Sequence, residues 1–227
     1  MTIISLDFSI LYPGVCICKD FKEYKWLAVV NTKTTKKDQK NFEDLNLRYP
    51  SINIFNTVTR REKKDQYHLT ERNKLVNYLE ATDLLIEKLK SILDYDDVFL
   101  VCIEGISFGS KGNALVDISQ ATGIIKTKLV NEILDGDADK FFVFSPGELK
   151  NAIGCKGNAG KIDVYNKFIE DPIIDSVKQS ELYQAVVTED WIFNGKNVKS
   201  PIMDMIDGYL GVTKIHQILS DKNNHHE

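Results

Sequence analysis

Thr2-Ile-Ile-Ser-Leu-Asp7 is the stretch on which the fold of this chain turns. It is an apolar, strand-like run that ends on an acid, and a carboxylate in that position costs stability unless it is paired or bound to a cation. The pattern returns midway, where the wholly apolar Val98-Phe-Leu-Val-Cys-Ile103 delivers Glu104. It returns near the C-terminus in Ser200-Pro-Ile-Met-Asp204-Met-Ile-Asp207-Gly, whose two acids are three residues apart and share one face of a helix. Four carboxylates, distant in sequence and each at the end of an element, point to one shared divalent-metal site made of Asp7, Glu104, Asp204 and Asp207.

Outward from the first strand, Val15-Cys-Ile-Cys18 and Lys25-Trp-Leu-Ala-Val-Val30 complete a meander, with Pro13-Gly14 as a turn. Residues 31–70 are polar and weakly periodic, which predicts a long loop-like insertion. Apolar residues at 75, 79, 86, 89 and 93 predict a helix, and the run 98–103 a central strand buried on both faces. A second helix is predicted over 114–134 and a strand over 141–144. Ser145-Pro-Gly-Glu148 has the form of a capping box with proline at the first helical position. Helices are expected to about Ile153, over 161–169 and over 181–193, with Gly154 to Gly160 as a glycine-rich loop and a final helix capped by Ser200-Pro201. The tail 221–227 is predicted to be disordered. This order predicts an α/β fold: a mixed β-sheet flanked by helices on both faces, one domain over 1–220 with a basic insertion at about 31–70.

The chain has 227 residues, 43% hydrophobic and 27% charged, the composition of a soluble globular protein. No apolar run reaches the roughly 20 residues of a membrane span, and the N-terminus lacks a signal-peptide pattern, so the expected location is a cytoplasm. Cys16, Cys18, Cys102 and Cys155 fit a reducing compartment as free thiols, because Cys16-Ile-Cys18 has no second pair to complete a zinc site. His68 and His216 lack zinc spacing as well, and His225-His226 fall in the expected tail. Around Gly160-Lys161 a phosphate-binding loop of the Walker type fails, since Cys155 stands at its first glycine and Ile162 follows the lysine. The net charge of −4 provides no global attraction to nucleic acid, so local basic surface is needed. Residues 31–74 carry eleven Lys and Arg against six acids; Arg60, Arg61, Lys63 and Lys64 are the densest group. Either a DNA-facing surface or a solvated loop accounts for them.

Clustered carboxylates repel one another, and hard cations such as Mg²⁺ relieve this by taking oxygen ligands. Two such ions about 4 Å apart suit phosphodiester cleavage. Ile4-Ser-Leu-Asp7 followed by a meander resembles the opening of the RNase H-like superfamily, and the chain more specifically resembles the RuvC-type Holliday junction resolvases. Ile103-Glu104-Gly-Ile-Ser-Phe108 with Lys111-Gly-Asn-Ala-Leu-Val-Asp-Ile-Ser-Gln120-Ala-Thr-Gly123 is similar to that family's second acidic motif and following helix. Ser145-Pro146, Lys150, Gly154, Gly157, Ala159 and Lys161 are similar to its DNA-contact segment, and Asp204-Met-Ile-Asp207 to its closing acidic pair. The motifs stand in the family's order and leave only 31–70 and 171–199 uncovered. Phe8-Ser9 replaces the usual Pro-Gly after the first acid, and Gly208 stands where alanine is usual, as in a viral or otherwise divergent member.

The resemblance implies an RNase H-like fold and a Mg²⁺-dependent endonuclease, with Mn²⁺ as an alternative, that cleaves four-way and other branched DNA with two ions per site. It implies Asp7, Glu104, Asp204 and Asp207 as catalytic metal ligands and Lys161 as the basic residue near the scissile phosphate. Lys150, Lys156 and Lys111 become DNA contacts, and Phe108 either an aromatic near the junction centre or a core residue. It also implies a homodimer, expected through the 114–134 helix. A nuclease for RNA–DNA hybrids, flaps or forks shares the same chemistry. A catalytically inactive DNA-binding scaffold is a further alternative. A two-domain ATPase or sugar kinase of the superfamily needs more chain than this.

Overall fold

A computed structural model of the protein describes residues 1–57, 66–94, 97, 99–106 and 112–224. Strands β1 (Thr2–Asp7), β2 (Gly14–Lys19) and β3 (Glu23–Val30) form the antiparallel meander. On the far side of β1, β5 (Phe99–Glu104) and then β6 (Phe141–Phe144) add in parallel. A further strand, β4 (Ile52–Asn56), lies parallel to β3, so the order across the sheet is β4-β3-β2-β1-β5-β6. This is the mixed sheet with helices on both faces that the sequence predicts.

Each inner strand sends alternate side chains to opposite faces. Ile3, Cys16, Cys18, Trp26, Ala28 and Cys102 pack beneath one layer of helices. That layer consists of α1 (Lys36–Arg48), α4 (Pro146–Ala152), α5 (Lys161–Glu170), α6 (Glu181–Thr188) and α7 (Ile202–Asn224). Ile4, Leu6, Val15, Ile17, Leu27, Val101 and Ile103 pack beneath α2 (Tyr67–Ile92) and α3 (Asn113–Glu132) on the other face. The capping box forms as predicted: Ser145 Oγ accepts the Glu148 amide at 3.3 Å and Glu148 Oε2 accepts the Ser145 amide at 2.8 Å.

Segment 31–70 departs from the expected loop. Residues 36–48 form α1 and 52–56 form β4, an edge strand of the sheet. The helical stripe was too thin to read, because Phe42 and Leu45 alone are buried while Leu47 is 80% exposed. Local chemistry starts the helix nonetheless, with Thr35 Oγ1 accepting the Asp38 amide at 3.1 Å. The Asn46 amide on α1 then pairs with both backbone groups of Ile54, each at 2.9 Å. In doing so it satisfies an edge strand that would otherwise present bare hydrogen-bonding groups. Three other boundaries shift: α2 begins at Tyr67, α6 ends at Thr188, and α7 runs through Asn224, so residues 221–224 are helical rather than a tail.

Helix α7 lies on the backbone of β1 and β2 with almost no spacing. A Cβ at Gly14 would come within 2.3 Å of the Asp204 carbonyl carbon, and one at Gly211 within 2.1 Å of Ser5 Oγ. Adding side-chain atoms to such a contact forces backbone shifts that cost about 1–3 kcal/mol. Gly14→Ala is therefore expected to lower unfolding free energy by about that amount in urea melts. Gly123→Ala on α3, where a Cβ meets nothing within 4 Å, is expected to leave stability unchanged or raise it by up to about 1 kcal/mol. Equal effects at the two positions would show that helix α7 does not make this close contact.

Candidate carboxylate site

Parallel pairing of β1 with β5 sets Leu6 opposite Ile103, so Asp7 and Glu104 follow side by side at the same end of the sheet. Ser5 and Cys102, two residues before each acid, face Gly211 of α7, and strand alternation turns Asp7 and Glu104 toward the same helix. The first two turns of α7 bring Asp204 and Asp207 over them. From the other side, the N-terminus of α5 supplies Lys161, whose ammonium lies 3.7 Å from Asp204 and 3.4 Å from Asp207. Asp163 Oδ2 fixes that helix start by accepting the Gly160 amide at 2.8 Å. All five side chains, with Ser9, Pro146 and Lys150, line a cavity of about 240 Å³.

Burial and mutual repulsion shape the protonation of the cluster. The Asp7 carboxyl is held well above the usual carboxylate range, first by burial and then by Asp207, Glu104 and Asp204. Burial, then Asp207, pushes Glu104 up to about 7, although Lys150 and Lys161 pull the other way. For Asp207 burial is again the largest cause, and it rises to about 6 against the attraction of Lys161. Lys161 itself loses hydration, yet Asp207, Asp204 and Asp7 outweigh this and raise its pKa.

The donor set fits a hard divalent cation: every candidate ligand atom is a carboxylate oxygen. Asp204 is 4% exposed, and its Oδ2 is buried with no hydrogen-bond partner among the described residues. Such an orphaned anionic oxygen is costly unless something positive completes it. As the side chains stand, no group of three or more His, Cys, Asp or Glu among the described residues is arranged to hold an ion. Lys161 occupies part of the space between the helix acids and supplies the positive charge there.

The remaining expected residues are scattered. Lys150 is in the cavity wall, its Nζ donating to the Ala159 carbonyl at 2.7 Å, so it anchors the glycine loop to α4. Lys156 is exposed on that loop and does not line the cavity. Arg60, Arg61, Lys63, Lys64, Phe108 and Lys111 lie outside the described residues. The basic stretch 31–74 is not one surface. Lys36, Lys37 and Lys40 sit on α1, on the face of α7, whereas Lys74 sits on α2 across the sheet, paired with Glu71 and Asp117. Ser9 was not singled out from sequence; its position two residues after Asp7 was the available signal.

No protein-family model matches the chain, and no curated protein matches it. Among solved structures, Thermus thermophilus RuvC is similar at 12% identity, over 96% of each chain, with a TM-score of 0.42. T. thermophilus RuvC in complex with a Holliday junction substrate is similar at 11% identity, with the same coverage and TM-score.

Unfolded carboxyls release their protons near pH 4. Glu104 and Asp207 hold theirs in the folded chain to about 7 and 6, so between pH 4 and 7 the folded state binds more protons. Their contribution to stability therefore falls as pH rises through that window. In EDTA, Asp7→Asn is expected to melt above wild type at pH 7.5, with the gap narrowing by pH 5. A gap that is the same at both pH values would mean that Asp7 is not coupled to the other acids.

Proposed function

We propose that the protein is a divalent-metal-dependent, structure-specific endodeoxyribonuclease that hydrolyses phosphodiester bonds in branched DNA, four-way junctions foremost. The observation that carries this reading is the convergence of Asp7, Glu104, Asp204 and Asp207 with Lys161 in one cavity at the strand ends. These four acids would hold one or two Mg²⁺ ions, which supply phosphate polarisation and water activation when bound. The preference for junctions rests on the four sequence motifs standing in one order along the chain.

The chain's own groups divide the remaining work. Lys161 is 63% exposed at the cavity mouth, where its ammonium can donate charge-assisted hydrogen bonds to a non-bridging phosphate oxygen. Lys150, fixed by the Ala159 carbonyl, keeps the glycine loop closed on α4 and adds positive potential near Glu104 and Asp207. Val164 and Leu210 line the inner wall and limit water around the acids. An inert scaffold would have no use for this arrangement, because the acids oppose one another without a cation.

Two symmetric cuts require two sites, and a two-fold dimer presents them to a nearly two-fold substrate. On α3, Ala121, Ile125 and Leu129 are turned into the protein's own core, which removes them from the expected interface. The dimer contact proposed here is instead the outer groove between α2 and α3, about 1030 Å³, with Leu75, Gly123 and Ile124 in its walls.

Incubation with Mg²⁺ and labelled four-way junction, duplex, flap and RNA–DNA hybrid tests the reading directly. Paired cuts in the junction are expected, lost in Asp7→Asn without loss of folding or junction binding. Cleavage by Asp7→Asn at near wild-type rate would refute the carboxylate mechanism. Cutting of hybrid or flap alone would replace the substrate. Light scattering is expected to show a dimer on the junction; a monomer making unpaired nicks would remove the resolvase assignment and leave a general nuclease.

A further inference from the structure

Parts of the two segments left uncovered by the family motifs, residues 36–56 and 171–199, meet in the fold and line another cavity, of about 420 Å³. Arg48 pairs with Glu189, the Tyr49 hydroxyl is 2.9 Å from Thr188 Oγ1, and the Ser51 amide donates to Glu181. The cavity lies between α1 and the chain after α6. Its size falls in the range of about 300–1,000 Å³ usual for small-molecule sites.

Its lining is chemically distinctive. Three amides, Asn41, Asn194 and Asn197, stand with the Trp191 indole. Asn41 Nδ2 is buried and has no partner among the described residues, an unsatisfied donor that a ligand acceptor would complete. Asn194 Oδ1 is occupied by the Lys196 and Asn197 amides, which leaves its NH₂ as the group to offer. The charges balance: Lys37 has Asp190 in the same wall, and Lys199 is bonded to Asp38. A planar, uncharged, hydrogen-bonding ligand suits such a site better than a phosphate.

The cavity also adjoins the carboxylate site. The Lys199 carbonyl accepts the Met203 amide at 3.2 Å, at the turn of α7 that carries Asp204. The Tyr12 hydroxyl feels both, its pKa raised by burial and then by Asp204 and Asp38. Lys33, Lys36 and Lys40 are exposed around α1, placed to follow a phosphate backbone.

We infer that the α1–Trp191 cavity receives one unpaired nucleobase from a single-stranded segment of the substrate, stacked on Trp191 and hydrogen-bonded by Asn41. This rests on the nuclease reading for the identity of the ligand, while the site stands on its own lining.

The test uses the full chain in EDTA with a fluorescein-labelled dT oligonucleotide of about ten residues, followed by anisotropy. Trp191→Ala is expected to weaken binding about tenfold, as loss of one base stack does, and Trp191→Phe to restore it within about twofold. Asn41→Ala, which leaves the Trp191–Phe42 packing in place, is expected to weaken it severalfold. Trp26 is fully buried and is the only other tryptophan, so oligonucleotide-induced quenching of emission reports Trp191. Wild-type affinity in both alanine variants, or unchanged emission on binding, would overturn the inference. If the junction is still cut in that case, the nuclease reading stands and the pocket alone fails. Trp191-dependent dT binding by a protein that cuts no substrate would sustain the pocket and sink the nuclease.

Discussion

The contact on which this structure depends is the near-touching of α7 and the β1–β2 pair. Gly14 and Gly208 meet backbone across the crossing and Gly211 meets the side chains of Ser5 and Cys102, so the helix and the strands leave no room for a Cβ at these positions. This closeness delivers Asp204 and Asp207 to the end of β1. A Cβ at these positions would push the helix off the strands and carry Asp204 and Asp207 away from the end of β1. The glycines thus belong to the chemistry as much as the acids do.

The same packing creates an electrostatic debt. Burial and repulsion push Asp7, Glu104 and Asp207 toward their neutral forms, and Lys161 offsets only part of this. The geometry is therefore most comfortable either acidified or supplied with a cation. Stability given up at a site of this kind is usual where function requires like charges to be held together.

On the opposite flank, a segment that is polar and weakly patterned becomes part of the sheet. Helix α1 docks with Phe42 and Leu45 buried, and on the outer edge of β4 the Asn46 amide pairs with Ile54 while the Tyr49 carbonyl accepts the Ile52 amide. Ion pairing of Arg48 with Glu189 then joins this flank to α6. The result is a wall beside the carboxylate site built from segments that carry none of the four acids.

From sequence alone, the strand-ending acids, the meander, the capping box at Ser145 and the mixed sheet with helices on both faces were legible. Each is a local signal: apolar runs, turn residues and short spacings report directly on backbone conformation. Segment 31–70 was not legible, because its helix and strand draw stability from tertiary contacts rather than from periodicity. The motif resemblance singled out Lys161, but sequence could not reveal that Lys150 ties a loop while Lys156 stays in solvent, since the two are alike in one dimension. The folding of α4, the glycine loop and α5 against α7 decided that, by placing Lys161 between Asp204 and Asp207, turning Lys150 to the Ala159 carbonyl and leaving Lys156 in solvent. Distances between charges are set by how elements pack, and packing is a property of the whole chain.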